Sequence, residues 1–351
     1  MAYTDIDKPT DYFRTKIYNG TGSNLTLTFD ESDNMQPDFL WGKCRGSGET
    51  NKRHVLTDSV RGINKQLASN LTAAETSYTN SFTAFGSNGF SVGNDNGVNE
   101  SSNTHVAWCW KAGTSFTNDA SGTGIGSIDS AGSVSTTAGF SIVSYTGSGS
   151  SATIAHALGS KPDIIFTKQR DDNSAAWGGY VSALGATKDI GLSTSGPADA
   201  DTSYWGDTEP TSTVFTVSSN ARSNASGEAY IAYCFTNIKG YSKIGGYTGN
   251  GDVSGSYIHL GFKPAFVMVK RTDGGSNYWE IRDNKREPNN PMYFRLFPNI
   301  NGAESQDANE KIDYVSNGFK LRNATTGSNG SGNTYIYMAF AENPFVTSTG
   351  V

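Results

Sequence analysis

Pro37-Asp38-Phe39-Leu40-Trp41-Gly42-Lys43, Pro162-Asp163-Ile164-Ile165-Phe166-Thr167-Lys168 and Pro264-Ala265-Phe266-Val267-Met268-Val269-Lys270 are three versions of one pattern. In each, a proline opens an apolar run of strand length that ends on a lysine. The surroundings repeat as well. Upstream stand the aromatic turns Tyr18-Asn19-Gly20, Tyr145-Thr146-Gly147 and Tyr247-Thr248-Gly249. Downstream, small and aromatic residues alternate in Val106-Ala107-Trp108-Cys109-Trp110, Ile231-Ala232-Tyr233-Cys234-Phe235 and Met338-Ala339-Phe340-Ala341. Aligning Ala107, Ala232 and Ala339 puts Cys109 and Cys234 opposite Ala341. A further landmark is Ser87-Asn88-Gly89-Phe90, which returns as Ser316-Asn317-Gly318-Phe319 with Phe215 in the middle copy; Asn-Gly suits a tight hairpin turn. Three copies of one folding unit are expected.

The 351 residues give about 117 per copy, enough for a compact unit with its own core. Forty-one glycines (Gly 41) among short Val, Ile, Phe, Tyr and Trp runs, with little helical periodicity, predict an all-β chain. In the closing strand, period two sets Trp108 and Trp110 on one face and Ala107 and Cys109 on the other. That alternation predicts three tandem β-sandwich repeats of jelly-roll or lectin-like form, with the large face filling the space between two sheets.

The expected organisation is an N-terminal arm and repeat 1 over 1–112, a Gly/Ser/Thr-rich linker over 113–138, repeat 2 over 139–238 and repeat 3 over 239–351. The linker has too few apolar residues to bury much area. The short joint Asn237-Ile238-Lys239-Gly240 predicts a fixed angle between repeats 2 and 3 and a freer repeat 1. Arg61 to Ala74 carries a weak helical pattern and is read as loop.

A net charge of -6 and a pI near 5.3 provide no basic face for phosphate, which sets nucleic acid aside as a partner. The charged fraction of 17% and mean hydropathy of -0.47 describe a surface of hydroxyls and amides, common in secreted β-proteins and virion components. No apolar run reaches the roughly 18 residues of a membrane span, and Met1 to Asp7 lacks the start of a signal peptide. Synthesis in a cytosol and no membrane insertion are expected. Three cysteines without CxxC and four scattered histidines point to neither a disulfide framework nor a zinc site.

No GxSxG, HExxH, P-loop or kinase signature is present, so no catalytic residue is assigned and no cofactor is expected. His156 and His259 recur before the lysine-ended strand and read as structural. Asp171-Asp172, Asp283 and Glu304 sit in loop-like contexts where solvated carboxylates are the default. Asn94-Asp95-Asn96-Gly97 resembles part of a calcium loop but lacks its closing glutamate, and a turn explains it. Lys43, Lys168 and Lys270 read as strand-ending lysines whose stems cover apolar surface while the ammonium stays in water. Tyr204, Trp205 and Asp207 form the candidate ligand site, an aromatic face for a sugar ring beside a carboxylate for its hydroxyls. Trp177 and Trp279 occupy matching places and read as core.

Asp11-Tyr12-Phe13, Asp58-Ser59-Val60-Arg61-Gly62, Val106 to Gly113, Tyr230 to Phe235 and Tyr337 to Phe345 together resemble a repeated domain of virion structural proteins in marine tailed bacteriophages, notably cyanophages. The resemblance covers nearly the whole chain through core and turn residues. It implies a non-enzymatic fibre or a head or tail appendage, located in the virion and contacting capsid or tail proteins. The segment Asp5 to Phe13 would then be a docking arm. Two assemblies follow: a homotrimeric fibre, or one chain whose three units pack as an internal pseudo-trimer. The alternative is a carbohydrate-binding protein recognising host glycan. Recognition is expected where the copies differ, in the linker, in Tyr204 to Asp207 and in Asn289 to Glu310.

Overall fold

The computed structural model describes residues 6–31, 33–46 and 52–344; Met1 to Asp5 and Phe345 lie outside them. The fold is all-β, and one four-strand order occurs three times. An opening strand (Phe13–Asn19, Phe140–Thr146, Ser242–Thr248) pairs with a closing strand (Thr104–Trp110, Ala229–Phe235, Thr334–Pro344). The closing strand pairs with the proline-led strand (Phe39–Cys44, Ile164–Gln169, Phe262–Arg271), which pairs with a flanking strand (Val55–Asp58, Gly178–Val181, Glu280–Asp283). Every ladder in the three sheets is antiparallel. We call each sheet with its surroundings a lobe.

The ladders fix the equivalences. Phe39 faces Trp110, Ile164 faces Phe235 and Phe266 faces Phe340. Ala339 is therefore the counterpart of Cys109 and Cys234, and the sequence alignment of the third closing strand was two residues out of step. A two-residue slip leaves every side chain on the same face, so the face pattern could not detect it, although it sets Tyr337 where Ala107 and Ala232 stand.

The large face of each closing strand does not fill a private sandwich. Val106, Trp108 and Trp110, Ile231, Tyr233 and Phe235, and Ile336, Met338 and Phe340 belong to one continuous core. At its centre the three equivalent rings form a triangle: Trp110 to Phe235 is 6.0 Å, Phe235 to Phe340 5.8 Å and Trp110 to Phe340 5.6 Å between centroids. Phe39 stacks on Tyr233 at 4.3 Å, and Phe13 on Phe340 at 5.1 Å. The chain is thus closed around an approximate threefold axis, and the first lobe is as firmly built in as the others.

The small face has the other task. Ala107 and Cys109, Ala232 and Cys234, and Ala339 lie against a second, smaller sheet of their own lobe. Those sheets are Leu25–Thr28 with Gly89–Val92 and Phe82–Gly86, then Ala152–Ala155 with Val214–Val217, then Tyr257–His259 with Gly318–Leu321 and Ile312–Val315. In the first two lobes these small residues let two sheets approach while their large neighbours reach the axis; in the third, Tyr337 stands in the place of Ala107 and Ala232.

At the far end of each lobe the aromatic turn is tied down identically. The hydroxyls of Tyr18, Tyr145 and Tyr247 donate to the carbonyls of Val98, Ser223 and Ser328. The next residues, Asn99, Asn224 and Asn329, are fully buried, and their amides bridge three loop segments through backbone groups.

Two expectations about boundaries change. The segment 113–138 is no free linker: Thr114–Asn118 and Ser130–Ser135 form a hairpin that extends the second lobe's sheet beyond its opening strand. Its small residues suit strand pairing, and Val134 supplies the one apolar side chain the second lobe's core takes from that strand. Arg61 to Ala74, read as loop, contains the short strand Lys65–Ala68. The docking arm is likewise packed down, for Ile6 is 2% exposed in the central core and Tyr12 meets Tyr241 edge-on at 6.2 Å. Asp5 lies outside the described residues.

Because Phe235 touches both other corners of the triangle, Phe235→Ala is expected to cost about 3–5 kcal/mol in chemical denaturation. The loss should register on probes in all three lobes together.

Candidate functional site

The sugar-site expectation for Tyr204, Trp205 and Asp207 is overturned by burial. Asp201 caps the short helix Thr202–Trp205 by accepting from Ser203, and Gly206 ends it with a positive φ of 58°. This turn drives both rings inward: Tyr204 is 4% and Trp205 1% exposed. Trp205 packs edge-on against Tyr180 at 6.0 Å, and Arg222 lies over the Tyr204 ring. Only Asp207 faces solvent. The Asp-x-Ser cap and the following Gly-Asp were the signals that could have revealed the turn.

The three lysines are also not where strand ends usually leave them. Lys43, Lys168 and Lys270 are fully buried, with Nζ donating to main-chain carbonyls among the described residues. Lys43 reaches Lys52 at 2.8 Å and Asn301 at 3.4 Å; Lys168 reaches Gln169 at 2.7 Å; Lys270 reaches Gly196 at 2.8 Å and Ser195 at 3.2 Å. Burial lowers all three to about 8. Lys43 and Lys270 stitch neighbouring lobes, the first lobe to the third and the third to the second.

Around the axis the lobes meet at three seams that repeat one backbone contact. Glu75 N–H donates to Arg170 O at 2.7 Å, Ala198 to Thr272 at 2.9 Å and Glu304 to Arg45 at 3.0 Å. Trp177 Nε1 donates across to Ala68 O, and Trp279 Nε1 to Gly191 O, so these buried rings are seam residues.

Two seams carry a buried ionic relay. Between the first and second lobes, Arg170 grips Glu75 with two bonds, Glu75 pairs with Arg61, and Arg61 pairs with Asp58, which accepts from Tyr233 Oη at 2.7 Å. Between the third and first, Arg45 grips Glu304, Glu304 pairs with Arg286, and Arg286 pairs with Asp283, which accepts from Trp108 Nε1 at 3.0 Å. Asp283 and Glu304 are therefore not solvated loop carboxylates. Burial acts to raise Glu75, but the hydrogen bond from Arg170 and the charge of Arg61 overcome it and hold the carboxyl below its ordinary range. At the remaining seam the equivalent positions are Val181, Leu184, Ala198, Thr272 and Met338, and the relay is absent.

The other polar candidates are structural. Asp95 caps Asn96–Asn99 by accepting from Gly97. His156 is buried and its Nδ1 accepts from Leu158 N–H, whereas its sequence counterpart His259 is exposed. Burial lowers His105 and His156 to about 4. Among the described residues no group of three His, Cys, Asp or Glu could hold a metal, and no helix is long and apolar enough to cross a membrane.

A surface feature that could serve recognition lies on the third lobe. An open cleft of about 770 Å³ is lined by Asn290, Asn309, Lys311, Asp313, Arg322 and Thr325, with Val253 at its lip. Arg322 pairs with Asp313 at 2.9 Å. Between the lining residues Asn309 and Lys311 stands Glu310, a member of a buried quartet that no sequence motif marks. Glu280 binds Arg282 and Arg295, each at 2.9 Å, and Arg295 also reaches Glu310 at 3.5 Å. Burial, then the charge of Glu280, raises Glu310. Two arginines neutralise two carboxylates, and Arg282 Nη2 also donates to Glu310 O at 2.7 Å. The residues come from separate strands and loops, so no spacing motif announces them.

Residues 8–344 match the model of a family described as a domain of unknown function (DUF7483), and the chain belongs to that family. The match runs through all three lobes, so the family's unit is the whole closed body. No curated protein matches the chain.

The buried lysines give a pH signature. Their folded-state values near 8 lie below the roughly 10.4 of unfolded lysine, so the folded state releases these protons first and each contribution to stability rises between those limits. Relative to Lys168→Met, the wild-type chain should gain on the order of 3 kcal/mol between pH 7 and 10.5 in urea titrations. A constant difference would contradict the burial of this ammonium.

Proposed function

We propose that this family member is a non-enzymatic structural component of a tailed-bacteriophage particle, a head or tail appendage that docks on other virion proteins. The resemblance of its repeated core and turn residues to virion domains supplies the class. The observation that supports the reading most is how the repeated residues are used: the aromatic triangle, the buried lysines, the Tyr/Asn ties and the seam bonds all hold the body together. A closed body of this kind supports the internal pseudo-trimer over the homotrimeric fibre: each lobe's aromatic face is consumed inside the chain, which suits one chain at a threefold or sixfold position.

Antibodies against the chain should label purified particles in electron microscopy, and native mass measurement should give the monomer of 37.4 kDa. A stable homotrimer in solution, or particles that take no label, would contradict the proposal.

The second reading, recognition of host glycan, is favoured by one feature, the third-lobe cleft with its amides, guanidinium and carboxylate positioned for sugar hydroxyls. Glycan-array binding lost in Arg322→Ala would support it. An empty array removes it and leaves the structural role alone.

A further inference from the structure

We propose that the free edge of the third lobe's opening strand, Ser242–Thr248, is a docking edge for an extended segment of another polypeptide, which adds to the sheet as an antiparallel strand. The inference stands on the internal symmetry and does not depend on the virion reading. In the second lobe the equivalent strand does not end its sheet. Ser130–Ser135 lies along it antiparallel, from Ser135 opposite Phe140 to Ser130 opposite Tyr145. The same architecture therefore already accepts a strand at this edge. In the third lobe no strand of the described residues lies along it, and Ser242–Thr248 is the outermost strand among them.

The unpaired groups can be identified. Ala341 N–H donates to Tyr241 O and Gly249 N–H to Asn333 O, which fixes the odd-numbered residues as those bonded inward. Ser242, Ile244, Gly246 and Thr248 direct their amides and carbonyls outward. Ser242 N–H is bonded to Ile238 O at 2.9 Å. The side chain of Asn237 then imitates a neighbouring strand, accepting from Ile244 N–H at 2.6 Å and donating to Ile244 O at 3.3 Å. Past that point the edge is open at Gly246, which is exposed and whose outward amide and carbonyl have no partner among the described residues, while the Thr248 carbonyl accepts from Ser256 Oγ at 3.2 Å.

Exposed edges in stable proteins are usually blunted by charge, proline or bulges. The first lobe's opening strand has Lys16 and Ile17 at the positions of Gly245 and Gly246, with Lys16 bound to Asp30 and Arg14 to the carbonyl of Asp33. The third lobe offers Gly245-Gly246. Beside this edge lies a groove of about 660 Å³ at the seam that lacks the ionic relay, lined on the second lobe by Ala183, Leu184, Pro197 and Ala198. A strand on Gly246 gains main-chain bonds, and the groove beside it receives alternate side chains. The occupant is a strand like Ser130–Ser135, with small residues such as Ala131 and Ser133 on the seam side and a valine-sized residue opposite.

The probe is a synthetic peptide of residues 129–136 added at millimolar concentration to the full chain, with amide hydrogen exchange as readout. The Gly246 and Thr248 amides are expected to slow at least tenfold, while those of Phe13–Asn19 are unchanged. Gly246→Pro removes the outward amide at an edge position where proline is tolerated, and should abolish the effect. A second arm leaves the protein untouched. N-methylation of the peptide at Ala131 and Ser133, the amides that face the strand in the second lobe, should abolish protection, whereas N-methylation at Gly132 and Val134 should preserve it. No slowing with the unmodified peptide, or slowing that is insensitive to which amides are methylated, overturns the proposal.

Discussion

Everything in this chain follows from the triangle of Trp110, Phe235 and Phe340. Each four-strand sheet carries one face too large and apolar to leave in water and no second sheet of its own to cover it. Burying a Phe or Trp ring contributes on the order of 2–3 kcal/mol, so three such faces must meet one another. Once they meet at the axis, the opposite face of every closing strand is left for the minor sheet, filled by alanine and cysteine in the first two lobes and by Tyr337 and Ala339 in the third. The cysteines thus serve as small apolar side chains, and all three are buried and free.

The seams show what a charge requires beside such a core. Arg61, Asp58, Arg286 and Asp283 have fully buried side chains, and each is paired and hydrogen-bonded. Removing one partner from a buried pair costs about 3–5 kcal/mol, while replacing the whole set by apolar residues can be neutral. Both solutions occur in this one molecule. The first–second and third–first seams keep the relay, and the second–third seam has exchanged all five positions together for Val181, Leu184, Ala198, Thr272 and Met338. A partial exchange would have stranded a charge. The apolar seam has shorter side chains at its rim, and there the groove beside Gly246 opens.

Much of this was legible in the residues. The proline-to-lysine strands, the alternating closing strands and the all-β class follow from period and turn chemistry. What sequence could not supply was direction. Alternation says that Trp108 and Trp110 share a face, but not whether that face looks at its own sandwich or at two other lobes. A two-residue slip in the third copy was invisible for the same reason. The segment 113–138 looked like a linker because its hairpin borrows its apolar support from the second lobe. Trp205 looked available because polar residues flank it, although the cap at Asp201 turns it inward. Lys43, Lys168 and Lys270 look like strand-ending lysines in water, since nothing local reveals the carbonyls that a neighbouring lobe brings to Lys43 and Lys270, or the burial of Lys168 against the Gln169 carbonyl.

The central claim is that three sheets share one core and therefore fold as one unit. Differential scanning calorimetry of the intact chain tests it most directly. A single transition whose calorimetric and van't Hoff enthalpies agree is the expected result. Three resolved transitions, or a calorimetric enthalpy about three times the van't Hoff value, would show that the lobes are independent domains and would contradict the account.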